Sequence, residues 1–207
     1  MIDLANLIPV LLLLILSLSV HEAAHAWTAD RLGDPTARAL GRVTLNPLSH
    51  IDWIGTVLFP LIAFTTGAPL IGWAKPVPVN IHNLRAHRRD FAIIATAGPA
   101  SNLAQAVAAA AVLALAFDPS SMDLAARILR FFVMLNVSLA VFNMIPVPPL
   151  DGGNVLSGIL PEQFAQLFDQ IRPWGFLVLY ALLFTGVLGT VVFPISRRLY
   201  DVLVPVF

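Results

Sequence analysis

Long apolar stretches without a charged residue dominate the chain. Five stand out, at residues 4–20, 53–74, 91–117, 131–150 and 173–196. A helix needs about 20 apolar residues to cross the hydrocarbon core of a membrane. The third and fifth stretches are long enough, and the fourth is adequate up to the prolines at its end. The first is long enough only if it continues through His21 and His25 to Trp27.

The second stretch has a different pattern, because Pro60, Gly67, Pro69 and Gly72 interrupt it. Such a segment either spans or dips into the membrane and returns, which is tolerated only against other protein. Two strand-like pieces, residues 39–46 and 72–80, lie on either side of it. The pattern predicts an all-α polytopic membrane protein with about four transmembrane helices. A re-entrant or fifth hydrophobic segment and a small membrane-associated β element complete the predicted fold.

Composition supports a lipid environment. Hydrophobic residues make up 58% of the chain and charged residues 12%, whereas soluble proteins average roughly 25% charged residues. The net charge is zero and the basic residues are scattered, which predicts no nucleic-acid partner. We expect residues 1–207 to form one membrane-embedded domain, with an N-terminal helix that is retained because no signal-peptide pattern is present.

The sequence His21-Glu22-Ala23-Ala24-His25 carries the strongest chemical signal. Residues four apart on a helix lie about 40° apart around its axis, so both imidazoles can reach one metal ion. Glu22 is then placed to take a proton from water as a general base. The two histidines could instead be ordinary polar residues at a helix end, but ionisable groups within a membrane are usually functional.

A catalytic zinc ion normally has three protein ligands and one open position. The chain has no cysteine, so the third ligand must be His, Asp or Glu. Glu162 lies in a polar stretch typical of a solvated loop. Asp151 ends an apolar segment rich in proline and precedes two glycines, which favours a positioned carboxylate, although a simple helix cap is the alternative.

Three motifs together resemble the site-2 protease family, the intramembrane zinc metalloproteases of peptidase family M50. They are His21-Glu22-x-x-His25, Gly98-Pro99-x-x-Asn102 and Asn143-x-x-Pro146-x-x-Pro149-Leu150-Asp151-Gly152. The resemblance covers a catalytic core of about residues 4–153, in a compact form without a PDZ or CBS domain. A C-terminal transmembrane helix is expected at about 173–196.

The resemblance implies one zinc ion per chain, with Asp151 as the third ligand and Asn143 as a donor to the oxyanion. Asn102 would support the site or engage substrate, or would form only a hydrogen bond between helices. The implied substrates are transmembrane segments of membrane proteins, including regulatory proteins that another protease has already cut. His50 is a possible auxiliary site residue or a structural one. His82 and His87 are expected in a solvated loop.

Basic residues give a prediction of topology. If residues 53–74 re-enter, eight Lys and Arg lie on one side and four on the other. The positive-inside rule then places the zinc site near the cytoplasmic face, with the N-terminus outside, most simply in the plasma membrane.

Two alternatives use the same residues. A divalent-cation transporter would need acidic residues or histidines along several helices, and the apolar stretches hold almost none. A prenyl-protein protease would need a Glu as third ligand, for which Glu162 is poorly placed. The sequence predicts no oligomeric state.

Overall fold

The computed structural model describes residues 4–66 and 73–204, and within these ranges the chain is helical, with no strand. The helices are α1 (Leu4–Arg31), α2 (Thr36–Ala39), α3 (Phe59–Thr66), α4 (His87–Ala116), α5 (Leu124–Asn143), α6 (Asp151–Ile159), α7 (Glu162–Ile171), α8 (Gly175–Phe184) and α9 (Val187–Leu203). A π-helical turn, Trp53–Leu58, leads into α3. Short 3-10 helices occupy Pro47–Ser49, Ile81–Asn83 and Arg172–Trp174.

Within residues 4–66 and 73–204, four helical stretches are long and apolar enough to cross a membrane. They are Ile8–Arg31, His87–Ala116, Leu124–Asn143 and Glu162–Phe184. Large apolar side chains point outward from the bundle, among them Leu115 and Phe184. Lipid solvates such side chains and water does not, so the described residues confirm an all-α fold with four candidate membrane-spanning helices.

Helix α4 lies at the centre of the bundle, where it packs against α1, α5 and α6. Its small residues Ala106, Ala109 and Ala110 pack against Val133 and Val137 of α5. Small side chains let membrane helices approach closely, and van der Waals contact then stabilises the pair. The close approach brings polar side chains of α1, α4 and α5 within hydrogen-bonding distance of one another.

The predicted β element is wrong. Residues 39–46 form the end of α2 and an irregular loop, and residues 73–80 are extended without pairing to a strand. The backbone N–H groups of this extended segment, residues 73–80, donate to scattered acceptors instead. Lys75 N donates to His50 O, Val77 N to the Glu22 side chain and Asn80 N to the Asp34 side chain. Residue 72 lies outside the described ranges.

The two ends of the second apolar stretch meet. Trp73 N donates to Gly55 O over 3.2 Å, and the Thr56 hydroxyl donates to Trp73 O over 2.8 Å. A Cβ atom at Gly55 would collide with the Trp73 ring, so glycine permits this approach. The apolar helical part, Trp53–Ala63, is too short to cross a bilayer. The chain therefore returns to the place where this stretch began.

Several helix boundaries differ from the charge-free stretches, and two of the differences have a clear local cause. Helix α5 begins at Leu124 and not at Phe131, because Arg130 donates to the carbonyls of Ser121 and Pro119 and is satisfied at the helix end. Residues 173–196 do not form one helix, since Gly186 adopts a left-handed conformation, with φ of 75°, between α8 and α9.

Helices α8 and α9 together run along the bundle. Helix α8 begins at Gly175, which lies against the Pro148 backbone near Asp151. Helix α9 ends where Tyr200 and Leu203 pack on the cluster formed by α4 and α5. The expected C-terminal helix is thus replaced by two helices joined at Gly186.

Candidate active site

The structure brings His21, His25 and Asp151 together. The Nε2 atoms of His21 and His25 are 3.0 Å apart, and they lie 3.1 Å and 3.4 Å from the Oδ2 and Oδ1 atoms of Asp151, respectively. Ligands of a tetrahedral zinc ion, with bonds of about 2.0–2.1 Å, are about 3.3 Å apart. The three side chains are thus spaced as zinc ligands, and they form a group that could hold a metal ion.

Asp151 reaches this point because the chain turns tightly just before α6. Residues 144–150 fold back over the first turn of α6, and the Pro148–Pro149 peptide bond is cis. A Cβ atom at Gly152 would collide with the Met144 carbonyl, and one at Gly153 would press on the Pro148 backbone. The two glycines therefore allow the turn that places the carboxylate beside α1.

His25 is oriented by a backbone carbonyl of α4. Its Nδ1 atom lies 2.7 Å from Ile94 O. A carbonyl oxygen only accepts, so Nδ1 carries the proton and donates. The lone pair of the neutral ring is then on Nε2, the atom that faces Asp151.

His21 is oriented by side chains. Its Nδ1 atom lies 2.6 Å from Asn102 Oδ1, and Asn102 Nδ2 donates to Asn136 Oδ1 over 2.9 Å. Asn102 and Asn136 are fully buried. As in many metal sites, a hydrogen bond at the far nitrogen leaves the near nitrogen free to bind the ion.

The donor set fits a cation. With both protons on Nδ1, the two Nε2 lone pairs and the carboxylate of Asp151 converge without a hydrogen between them. The buried Oδ2 atom of Asp151 has no hydrogen-bond donor among the described residues. Converging lone pairs repel one another unless a positive ion lies between them, and His2Asp suits zinc.

The Gly98-Pro99-x-x-Asn102 motif on α4 serves both histidines. A Cβ atom at Gly98 would collide with the Nε2 atoms of His21 and His25. Pro99 has no N–H to donate to the carbonyl of Ala95, which loosens the turn where Ile94 O accepts from His25. Asn102, one turn further on, accepts from His21. One helical segment therefore provides space, a backbone acceptor and a side-chain acceptor.

Glu22 lines a cavity of about 650 Å³ that is also lined by His21, His25 and Asp151. Its Oε2 atom accepts from Val77 N over 2.9 Å, so the extended segment 73–80 holds the carboxylate beside the imidazoles. The rest of the cavity wall is mainly apolar. It comes from the extended segment, α4 and the helices α1, α5, α8 and α9, and the last four contribute Leu14, Leu18, Leu135, Leu139, Leu179, Leu183, Leu188 and Val192. The cavity therefore combines one group of ionisable side chains with mainly apolar walls.

The extended segment is fixed at its far end by Asp34. The carboxylate accepts hydrogen bonds from Asn80 N, Asn83 Nδ2 and both the N–H and hydroxyl of Thr36. Burial alone would raise the pKa of Asp34, but these hydrogen bonds favour the ionised form and lower the pKa below its usual value. The ionised Asp34 therefore holds the end of the segment that contacts Glu22 by hydrogen bonds.

Two further predicted residues occupy different surroundings. Asn143 lines the cavity, and its Nδ2 atom donates to Leu139 O of its own helix over 3.0 Å. His50 is buried but is not among the residues that line the cavity. Its Nε2 atom donates to Thr44 O over 2.8 Å, and its carbonyl accepts from Lys75 N. In this structure His50 connects the 39–46 loop to the extended segment.

The contributions of Asn136 and of the Val77 N–H to the site were not predicted from the sequence. Asn136 is a buried amide in an otherwise apolar stretch. A single polar residue in such a stretch is the sequence feature that could have indicated a role in the site. The Val77 contact uses a backbone group, which leaves no mark in the sequence. Glu162, the alternative third ligand, instead pairs with Arg88.

Comparison with known proteins supports the same chemistry. The family model described as "Peptidase family M50" matches residues 118–186, which include Asp151. "Putative zinc metalloprotease YwhC" of Bacillus subtilis (strain 168) is 34% identical over 98% of this chain and 92% of its own length. Two proteins of the same description, both named Rip2, come from Mycolicibacterium smegmatis and Mycobacterium tuberculosis (strain H37Rv). They are 31% and 28% identical over 90% of this chain and 71% of their own lengths.

No solved structure matched the chain. The match to the Bacillus protein nevertheless extends over almost the whole of both chains, and it agrees with the helical fold and with the group of side chains suited to zinc. The chain therefore belongs to peptidase family M50, the site-2 protease family, and is a zinc metalloprotease of the membrane.

Proposed function

We propose that this protein is an intramembrane endopeptidase that hydrolyses peptide bonds in or near the transmembrane segments of other membrane proteins. The observation that carries the proposal is a single cavity in which Glu22, His21, His25 and Asp151 lie at the end of apolar walls. Most of those walls are formed by α1, α4, α5 and α8, which belong to helical stretches long enough to span a membrane. A soluble peptide would gain little from such a cavity, whereas an apolar segment would bury its side chains there.

His21, His25 and Asp151 would hold the zinc ion. When bound, zinc supplies a Lewis acid that polarises the scissile carbonyl and lowers the pKa of water to about 7. Glu22 accepts the proton of the attacking water and delivers it to the leaving nitrogen. The N–H of Val77 keeps the Glu22 carboxylate turned toward the imidazoles while this happens.

Asn143 would stabilise the negative oxygen that develops on the substrate carbonyl. Its position on the cavity wall supports this role. Its amide N–H donates to Leu139 O in the structure, so the side chain must rotate to reach a substrate. A donor that is recruited only as charge develops stabilises the transition state more than the bound substrate.

The proposed topology has residues 53–74 re-entering from the cytoplasmic side of the plasma membrane, with the active site toward the cytoplasm. The hydrogen bonds between Trp73 and the Gly55–Thr56 pair support a return to the same side. The excess of Lys and Arg on that side supports its cytoplasmic location. In the natural chain, which lacks cysteine, Arg38→Cys and Arg85→Cys should be labelled from the same side. Labelling from opposite sides would refute re-entry.

Cleavage of a model transmembrane peptide by purified protein tests the enzymatic proposal. The wild type should cleave it, and Glu22→Gln should lose activity while retaining zinc, because a base is removed and no ligand is. Glu162→Gln is the matched control, since Glu162 is the only other Glu and lies exposed in an ion pair with Arg88. Equal cleavage by wild type and Glu22→Gln would overturn the role of Glu22. Zinc binding without any cleavage by the wild type would favour a metal carrier.

A further inference from the structure

A chain of buried amides extends from His21 to α5 and back to α1. Beyond Asn102, Asn136 donates through Nδ2 to Ser17 Oγ and to Phe132 O, each over 3.0 Å. Ser17, Asn102 and Asn136 have no exposed surface. Buried polar groups in a membrane bundle must satisfy one another, so each bond in the chain constrains the next.

Phe132 and Ser17, at the end of the chain away from His21, determine which group is donor and which is acceptor in every hydrogen bond of the chain. The Phe132 carbonyl only accepts, so the Asn136 atom facing it must be Nδ2. Ser17 uses its hydroxyl hydrogen on Leu13 O, so it also accepts from Asn136. Asn136 Oδ1 therefore faces Asn102, which orients Asn102 with Nδ2 toward Asn136 and Oδ1 toward His21.

The orientation of Asn102 decides which nitrogen of His21 can bind a metal. With Oδ1 toward the ring, Nδ1 must donate, and the Nε2 lone pair points at His25 and Asp151. If Asn102 were reversed, its Nδ2 would donate to Nδ1, and the proton would move to Nε2. A proton on Nε2 would point into the metal position and block coordination.

We propose that Asn136 is a positioning residue for the zinc site, which acts through Asn102 to hold His21 with its proton on Nδ1. The proposal rests on the proposed role of His21 as a zinc ligand. Asn136 touches neither the ion nor the substrate. Its contribution is to make one of the two orientations of Asn102 the only one that satisfies all the buried groups.

Two measurements on the full-length protein in lipid nanodiscs test this. One is the ¹⁵N spectrum of the histidine rings after zinc removal, assigned with single His→Gln variants, which reports the nitrogen that carries the proton. The other is the zinc Kd by competition with a chelator. In the wild type, Nδ1 of His21 should carry a proton, because it donates to Asn102 Oδ1. Asn136→Leu should introduce the form protonated on Nε2 and raise the zinc Kd about tenfold.

Val133→Ala is the matched control for lost stability. Val133 is fully buried one turn before Asn136 on α5 but has no place in the amide chain. It should destabilise the bundle, yet leave the His21 proton in place and the zinc Kd within about twofold, since no bond to His21 changes. Ser17→Ala should also have little effect, because Phe132 O still orients Asn136.

A rescue separates positioning from packing. In the double variant Asn102→Asp with Asn136→Leu, the carboxylate has two equivalent acceptor oxygens and needs no partner to orient it. The proton should return to Nδ1 of His21, and the zinc Kd should recover to within about threefold of the wild type. Packing damage from Asn136→Leu would persist in this variant.

Several outcomes would overturn the proposal. One is a wild-type His21 whose Nδ1 carries no proton, an outcome that does not depend on the stability of any variant. A second is an Asn136→Leu protein with an unchanged zinc Kd and ¹⁵N spectrum. A third is a Val133→Ala protein whose zinc Kd rises as much as that of Asn136→Leu. A fourth is a double variant whose zinc Kd and His21 proton position do not recover. A failure of the proposed role of His21 as a zinc ligand can be told apart from a failure of this proposal. In that case His21→Gln would bind zinc as tightly as the wild type.

Discussion

His21 and His25 present the same atom to the same point, but α4 holds them in different ways. His25 donates directly to a backbone carbonyl, Ile94 O. His21 donates to the Asn102 side chain, whose orientation depends on Asn136, Phe132 and Ser17 across two other helices. The backbone acceptor cannot be removed by substituting a side chain. The hydrogen bond that orients His25 should therefore persist when side chains are substituted. The hydrogen bonds that orient His21 can be removed one at a time by substituting Asn102 or Asn136.

Removal of either imidazole should have the largest effect. His21→Ala and His25→Ala each remove one of the three proposed ligands, so each should raise the zinc Kd more than about 100-fold, the upper size of effects from residues behind a ligand. Proteolysis should be lost equally in both. The controls are His82→Ala and His87→Ala, since both side chains are exposed near the start of α4. Wild-type affinity in either ligand variant, measured by chelator competition, would remove that residue from the site.

Gly98→Ala should affect both histidines together. Alanine is normally the better helix residue by roughly 0.5–1 kcal/mol. Here its methyl group would displace both Nε2 atoms, and we expect the zinc Kd to rise by about 10- to 100-fold. Gly189→Ala is the matched control, because nothing lies within 4 Å of a Cβ atom placed there. A Gly98→Ala protein with normal zinc affinity would show that α4 does not crowd the ligands.

The difference between the two supports is tested by one substitution behind each histidine. Asn102→Leu removes the acceptor of His21 and should raise the zinc Kd about tenfold or more. Ile94→Ala removes a buried side chain but keeps the carbonyl that holds His25. It should lower the free energy of unfolding by about 2–5 kcal/mol and leave the zinc Kd almost unchanged. Equal changes in Kd would mean that the two supports do not differ.

The smallest effect is expected far from both histidines, at Asp34. Its pKa is lowered by folding, so its contribution to stability is present above the usual carboxyl range and is lost as the pH falls through the lower folded value. Asp34→Asn should reduce the free energy of unfolding near pH 7 by about 1–3 kcal/mol. The difference from the wild type should shrink below about pH 4.

Zinc affinity should stay constant in Asp34→Asn, because Asp34 accepts hydrogen bonds only from Thr36, Asn80 and Asn83 among the described residues and from neither histidine. Thermal unfolding in detergent across this pH range measures the stability change. A gap between variant and wild type that does not depend on pH would contradict the role of an ionised Asp34.

The grouping of His21, His25 and Asp151 could be foreseen because helix geometry fixes the first two and prolines and glycines mark the turn before the third. Asn136 could not be connected to His21 from sequence, since the connection depends on how α1, α4 and α5 pack. The predicted β element was wrong because residues of high β propensity beside prolines indicate an extended backbone but do not indicate a neighbouring strand to pair with. Helix α5 begins at Leu124, before the charge-free stretch at residues 131–150, because loop carbonyls satisfy Arg130 near the start of the helix.

The central claim is that two imidazoles and one carboxylate bind the same zinc ion. X-ray absorption spectroscopy at the zinc edge of the full-length protein measures this most directly. We expect one zinc ion per chain with nitrogen and oxygen ligands at about 2.0–2.1 Å and the outer scattering of two imidazole rings, reduced to one ring in both His21→Ala and His25→Ala. A wild-type spectrum with fewer than two rings would contradict the account.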